Sequence, residues 1–261
     1  EDSNFEPLMT IFLTNDTSKQ NIIEAKAAGV VAAKLYPAGA TTNSDAAVNA
    51  LDALFPVFDT MAELGMLLLV HGEVTESHID IFDRESVFID QVLSAWMTCD
   101  YPELKIVLEH ITTKEGADFV FESGENIGAT VTPHHLTINR NDILAGGIRP
   151  HLYCLPIAKR DEHRQALREA VSSGNCSFFL GSDSAPHLKS AKETDCGCAG
   201  IFNAANAIEV YASVFDEMGS LENFEAFSSL NGPKFYGLEP NDSTITLERK
   251  HHPVVESINL P

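Results

Sequence analysis

The chain is poor in basic residues. Seventeen Lys and Arg stand against 38 Asp and Glu, a formal net charge of −21 over 261 residues. So acidic a surface repels phosphate backbones and anionic lipid, which excludes nucleic acid and membrane surfaces as partners. It also repels an anionic substrate at long range, so local cations, a metal or Arg, have to overcome that field. Long apolar runs are missing as well: none approaches the roughly 20 residues that a bilayer crossing needs. Glu1 to Pro7 is acidic and carries no apolar segment of the kind a secretory leader has. Cysteine is scarce and odd in number. Cys99, Cys154, Cys176, Cys196 and Cys198 are irregularly spaced, which argues against a disulfide framework and for reduced thiols in the cytoplasm. Cys196-Gly197-Cys198 is tighter than the usual paired-thiolate zinc spacing. With no internal repeat and no linker, residues 1–261 read as a single domain.

What is present is alternation. Short apolar runs at Leu8–Leu13, Val31–Tyr36, Met66–His71, Lys105–His110, Ile127–Thr132 and Ser177–Ser182 read as strands buried on both faces. Helical patterns cover Lys19–Ala28, Ala46–Leu64, Ile79–Met97, Lys114–Glu122, Ala158–Ser172, Ala204–Met218 and Glu222–Ser229, with loops over Asn139–Pro156 and Ser184–Phe202. Strands alternating with helices predict an α/β protein with a parallel sheet. A closed (β/α)8 barrel needs eight strands and the pattern supplies six, so the expectation is a TIM barrel whose first two strands precede Glu1.

Four of these runs end in a polar residue: Lys34, His71, His110 and Asp183. At the carboxyl ends of barrel strands they would share the face where catalytic residues lie, and their chemistry suggests a metal-dependent hydrolase. A Lys at the end of a buried strand must lose its charge, find a partner or be modified, for instance as a carbamate able to bridge two cations. The plainer reading is a Lys that snorkels to water. His71 and His110 suit zinc, or else are hydrogen-bonded core residues. Asp183 suits a metal ligand or a proton shuttle, or else an N-cap in the turn Asp183-Ser184-Ala185-Pro186. His134 and His135 follow a strand and read as supporting or packing residues. His151 reads as a loop hydrogen bond. His78, His163, His251 and His252 read as solvated.

Several strings, in order along the chain, carry a closer likeness. They are Lys34-Leu35-Tyr36-Pro37-Ala38-Gly39-Ala40-Thr41-Thr42, His71-Gly72-Glu73, Asp80-Ile81-Phe82-Asp83-Arg84-Glu85, Glu109-His110-Ile111-Thr112-Thr113, and Arg149 to Pro156. Gly181 to His187, Cys196 to Gly200, Asn231-Gly232-Pro233 and Phe235-Tyr236-Gly237 complete the set. The chain resembles the dihydroorotases of the bacterial single-function type, within the amidohydrolase superfamily. The resemblance implies a metallo-dependent TIM barrel with two zinc ions per full-length subunit and a carbon dioxide-derived carbamate on Lys34. Lys34 would bridge the metals, His71 and His110 would complete one of them, and Asp183 would bind the other and transfer protons. His187 and the backbone of Ala199 would hold the substrate carboxylate, the backbone of Leu155 would meet the pyrimidine ring, and Thr41 and Thr42 would close over it. A hydroxide between the metals would open dihydroorotate to N-carbamoyl-L-aspartate, and the reverse reaction would serve pyrimidine synthesis. A cytoplasmic homodimer acting on small molecules is also implied.

The family's first strand carries a His-x-His pair, and no such pair occurs in these 261 residues. The expectation is that the corresponding segment precedes Glu1, and that the chain as written lacks part of the site and is inactive. Two other readings stand beside this one. A hydantoinase- or allantoinase-like cyclic-amide hydrolase would differ in substrate, and a non-catalytic scaffold homologue would have no use for Lys34, His71, His110 and Asp183.

Overall fold

A computed structural model describes residues 6–40 and 47–251, with the backbone alone at 95–98. Its centre is a six-stranded, all-parallel sheet: β1 (Thr10–Phe12), β2 (Ala32–Leu35), β3 (Leu67–Val70), β4 (Ile106–Leu108), β5 (Ile127–Val131) and β6 (Phe178–Leu180). Each strand lies inside the apolar run that predicts it. Neighbours in space are neighbours in sequence throughout, which is the winding of a barrel; a doubly wound sheet reverses its order. The architecture is TIM-barrel-like α/β. Among the described residues β1 and β6 each pair on one side only. The edge shows in the exposure: β2 to β5 are buried at every position, whereas Phe12 at the end of β1 and Met9 just before it are 40% and 67% exposed.

The two-residue period of a strand sorts these side chains into two layers. Ala33, Leu35, Leu68, Val70, Ile106, Leu108, Ala129, Val131 and Phe178 pack outward against helical residues such as Ile22, Phe58, Phe88, Leu167 and Tyr211. Ala32, Leu67, Leu69, Val107 and Phe179 point the other way and form a small inner cluster with Phe235. The register keeps the strand ends level: Leu35 pairs with Val70, Val70 with Leu108, and Val131 with Leu180.

The helices Lys19–Ala27, Lys114–Glu122, Asp161–Ser172 and Ala207–Glu217 fall where periodicity places them. Ser18 and Thr113 cap the first two with side-chain oxygens on the third helical amide. Other stretches differ. The pattern over Ala46–Leu64 begins outside the described residues; from Leu51 to Leu54 it is a 3-10 turn, and the α-helix runs only over Phe55–Leu64, with Pro56 in its first turn and Gly65 left-handed at its end. The Ile79–Met97 pattern holds an α-helix at Arg84–Phe88 that widens into a π-helix over Ile89–Met97. Apolar periodicity does not separate these windings. Both predicted loops contain short helices, Arg140–Leu144 and Lys189–Lys192, and helices of one turn leave no periodic trace. The Glu222–Ser229 pattern is split between a 3-10 turn at Leu221–Asn223 and a π turn at Ala226–Leu230.

Candidate active site

Strand parity decides which residues face the inner cluster. Lys34 is in phase with Ala32, His71 with Leu67 and Leu69, Glu109 with Val107, and Asp183 with Phe179. All four therefore belong to the same side and the same edge of the sheet. Lys34 is buried, 7% exposed; it pairs with the Glu109 carboxylate and sits 4.7 Å from the centre of the Tyr36 ring. It does not snorkel to water. His110 is out of phase, yet its ring lies 4.8 Å from that of His71. A left-handed backbone, φ 45°, turns it inward.

Asp183 adopts the same rare conformation, φ 43°. Non-glycine residues held there store strain, and such residues cluster at functional sites. Both are pinned from behind. The Thr130 hydroxyl accepts the His110 amide at 2.8 Å. Asn203 Nδ2 donates to the Ser182 carbonyl at 2.7 Å, and so fixes the peptide that leads into Asp183. No helix starts at Asp183, since the next one runs Lys189–Lys192 after Leu188, so the N-cap reading fails.

A buried row of charge supports His71. Its Nε2 donates to Glu73 Oε2 at 2.9 Å, which fixes the tautomer and leaves Nδ1 with its lone pair. Glu73 is 1% exposed and its other oxygen, Oε1, has no hydrogen-bond partner among the described residues. The Lys159 ammonium stands 3.9 Å from that oxygen and donates to the Ile157 carbonyl. Nearby, Glu85 ties the Arg84–Phe88 helix to the loop after β4 by accepting from the amides and hydroxyls of both Thr112 and Thr113.

Burial, then the charges of Lys34, His71 and His135, push the His110 imidazole well below its ordinary pKa. It is neutral, and its buried Nδ1 has no hydrogen-bond partner among the described residues. The Asp183 carboxyl is open to solvent on one side and crowded by protein on the other; that desolvation and the Glu109 carboxylate raise its pKa, against Lys34 and His71. A neutral unpartnered imidazole, a second imidazole with its tautomer fixed, and two carboxylates beside a lysine amine form a donor set that fits a divalent cation.

His134, His135 and Cys154 gather their ligand atoms within 4.8 Å of one another, and hydrogen bonds occupy them except at His134 Nε2, which is buried without a partner among the described residues. His135 Nε2 donates to the Pro156 carbonyl at 2.9 Å and its Nδ1 accepts from Thr132 Oγ1 at 2.8 Å. His134 Nδ1 accepts from Asn203 Nδ2 at 3.1 Å. Burial pushes the Cys154 thiol up to about 12, so it stays protonated. This cluster braces the ends of β5 and β6. His151 makes a loop hydrogen bond to Glu193. His163 is not solvated: it is half-buried and accepts the amide of Lys114 at the start of the Lys114–Glu122 helix. Isolated polar context conceals such a contact.

On the loops above the strand ends, His187 Nε2 donates to the Ala199 carbonyl at 3.0 Å, and Leu155 follows buried Cys154. Thr41 and Thr42 lie outside the described residues, as does His252. Sequence reasoning assigned no role to Glu109, Glu73 or Asn203. Glu109 was in reach, because it shares its strand phase with Val107.

The comparisons with known proteins agree with this geometry. The model of the amidohydrolase family matches residues 2–247, and the chain belongs to that family. Within it, the chain is 64% identical over 261 residues to a dihydroorotase of Shewanella woodyi, a match that spans all of this chain and 76% of that protein. Among solved structures, a Saccharomyces cerevisiae dihydroorotase in complex with 5-fluoroorotic acid superimposes with a TM-score of 0.83 at 35% identity, covering 89% of this chain and 67% of that one. A D-hydantoinase superimposes with a TM-score of 0.68 over 87% of this chain and 55% of that one, but at 16% identity it shares the fold alone.

Proposed function

We propose that this chain carries the active site of a dihydroorotase, which closes N-carbamoyl-L-aspartate to L-dihydroorotate for pyrimidine synthesis and catalyses the reverse opening. The observation that carries this reading is the placement of Lys34, His71, His110 and Asp183 at one edge of one face, in a chain 64% identical to a dihydroorotase. Lys34, once carboxylated, would hold two zinc ions together with His71, His110 and Asp183. Bound zinc would lower the pKa of water to about 7 and polarise the ring amide.

The chain's own residues do the rest. As an ammonium, Lys34 is matched by Glu109; carboxylation reverses its sign, so cations must then separate the two anions. Glu73 keeps His71 in one tautomer. The raised pKa of Asp183 suits a group that takes a proton on attack and returns it to the departing ring nitrogen. His187 and the Ala199 backbone receive the substrate carboxylate, Leu155 meets the ring, and Thr41 and Thr42 close over it. The same reading makes the protein a cytoplasmic homodimer; no described helix is long and apolar enough to cross a membrane.

The test is metal analysis with a ring-opening assay on the full-length product of the gene. About two zinc per chain with turnover of dihydroorotate is expected, as for other two-metal hydrolytic sites. Turnover of hydantoin in place of dihydroorotate would favour the other cyclic-amide hydrolases, and a folded protein without metal or turnover would favour a scaffold.

A further inference from the structure

Lys192 is buried, 3% exposed, at the end of the Lys189–Lys192 helix. Its ammonium donates to three backbone carbonyls: Tyr153 at 2.9 Å, Cys198 at 2.6 Å and Gly200 at 2.8 Å. These use all three of its donors. Among the described residues no carboxylate pairs with it, so no counter-charge offsets the ammonium in a chain that is otherwise strongly acidic, and burial lowers its pKa. Burying a cation on neutral dipoles alone is costly, and a surface helix would not need it.

The carbonyls it gathers come from the two loops that carry Leu155 and Ala199. The Gly200 amide also donates to the Tyr153 carbonyl, at 3.0 Å, so the loops are stitched together around the ammonium. The second loop is tightly wound: Gly197, Cys198 and Gly200 have φ of 67°, 24° and 147°. A Cβ on Gly200 would stand 2.8 Å from His187 Nε2 and 2.9 Å from the Ala185 carbonyl, so the loop presses directly on His187. In a planar trans peptide the C=O and the N–H point in opposite directions. Holding the Cys198 carbonyl on Lys192 therefore aims the Ala199 N–H away from the ammonium. That N–H has no acceptor among the described residues, and neither has the Leu155 N–H.

We propose that Lys192 is a positioning residue for the substrate carboxylate: by clamping three carbonyls it aims the free Ala199 amide beside His187, and its charge offsets the acidic surface there. This inference rests on the dihydroorotase reading, and it adds a residue that sets affinity for the anionic ring without touching it. Lys192→Met should raise KM for dihydroorotate about tenfold, the worth of one charge-assisted hydrogen bond, with kcat changed less than about threefold. Lys192→Arg should fail to restore it, because a planar guanidinium cannot point three donors at three converging carbonyls.

The deciding experiment uses the full-length product of the gene with its metal. KM and kcat are measured for dihydroorotate, together with competitive inhibition constants for 5-fluoroorotate and for its methyl ester, which lacks the charge. The expected result is that Lys192→Met weakens the acid about tenfold and leaves the ester unmoved. Equal weakening of acid and ester, or a fall in kcat alone, would mark Lys192 as merely structural and overturn the proposal. If Lys192→Met does not fold, the same acid-to-ester ratio in Lys192→Arg decides in the same way. A wild-type protein with no turnover of dihydroorotate would instead sink the functional reading, whereas active wild type with an unchanged variant sinks this inference alone.

Discussion

Two buried carboxylates, Glu85 and Glu73, show how differently this fold treats the same group. Glu85 is 1% exposed and accepts from two amides and two hydroxyls of Thr112 and Thr113. Glu73, equally buried, has one oxygen on His71 and the other without a hydrogen bond among the described residues. The contrast extends to their surroundings. Both Glu85 oxygens are filled, as a joint between a helix and a strand end requires, although Nε of the neighbouring Arg84 has no partner among the described residues. Around Glu73 the strand-end cluster leaves His110 Nδ1 unpartnered and holds Asp183 at a raised pKa in a strained backbone. Of these two carboxylates, the saturated one ties scaffold together, and the one with an unfilled oxygen, kept so at a cost in stability, supports residues available for chemistry.

Substitutions on the two sides should separate rate from stability. Asp183→Asn removes the proton-transfer group, and kcat for dihydroorotate should fall about 10³-fold with the thermal midpoint almost unchanged; a loss under tenfold would remove Asp183 from the reaction. Glu85→Ala should do the reverse. It leaves buried Thr amides and hydroxyls unpaired, so the unfolding free energy should drop by about 3 kcal/mol in urea titrations, while kcat per folded molecule stays within about twofold. Glu73→Gln, which keeps the shape and removes the charge, should weaken metal binding about 10- to 100-fold with little effect on stability. An effect of Glu73→Gln on folding alone would erase the distinction between the two carboxylates.

The imidazoles behind the site give a gentler test. Burial lowers His134 from 6.5 to about 4. Between those values the unfolded chain binds a proton that the native chain does not, so stability is lost as pH falls from about 6.5 towards 4. His134 alone should account for about 2 kcal/mol between pH 7 and pH 4.5. Urea titrations of metal-free protein should show at least that slope, and His134→Gln should reduce it by the His134 share, the rest belonging to His110 and His135, which burial also lowers. An equal slope in both would place the acid lability elsewhere.

Much of this contrast is legible in the sequence alone. Apolar runs located all six strands, because burial on both faces leaves no other pattern for short segments. The period of two would also have put Glu109 with Lys34 and His71. His110 stands out as the polar residue that ends its apolar run, not by phase: alternation sends it outward, and only a left-handed φ of 45° brings it in. That conformation leaves no sign in a non-glycine residue. Lys192 was hidden for a different reason. Its partners are carbonyls of Tyr153, Cys198 and Gly200, and every residue has a carbonyl, so nothing in their identity announces the contact. The π-helix at Ile89–Met97 and the one-turn helices were missed because periodicity needs length to speak.

The central claim is that Lys34 organises the metal centre. The most direct measurement is zinc content and dihydroorotate turnover of the full-length gene product beside its Lys34→Ala variant. The account predicts about two zinc per chain in the first and fewer than about one in the second, with turnover lost. A variant that keeps both its zinc and its activity would contradict it.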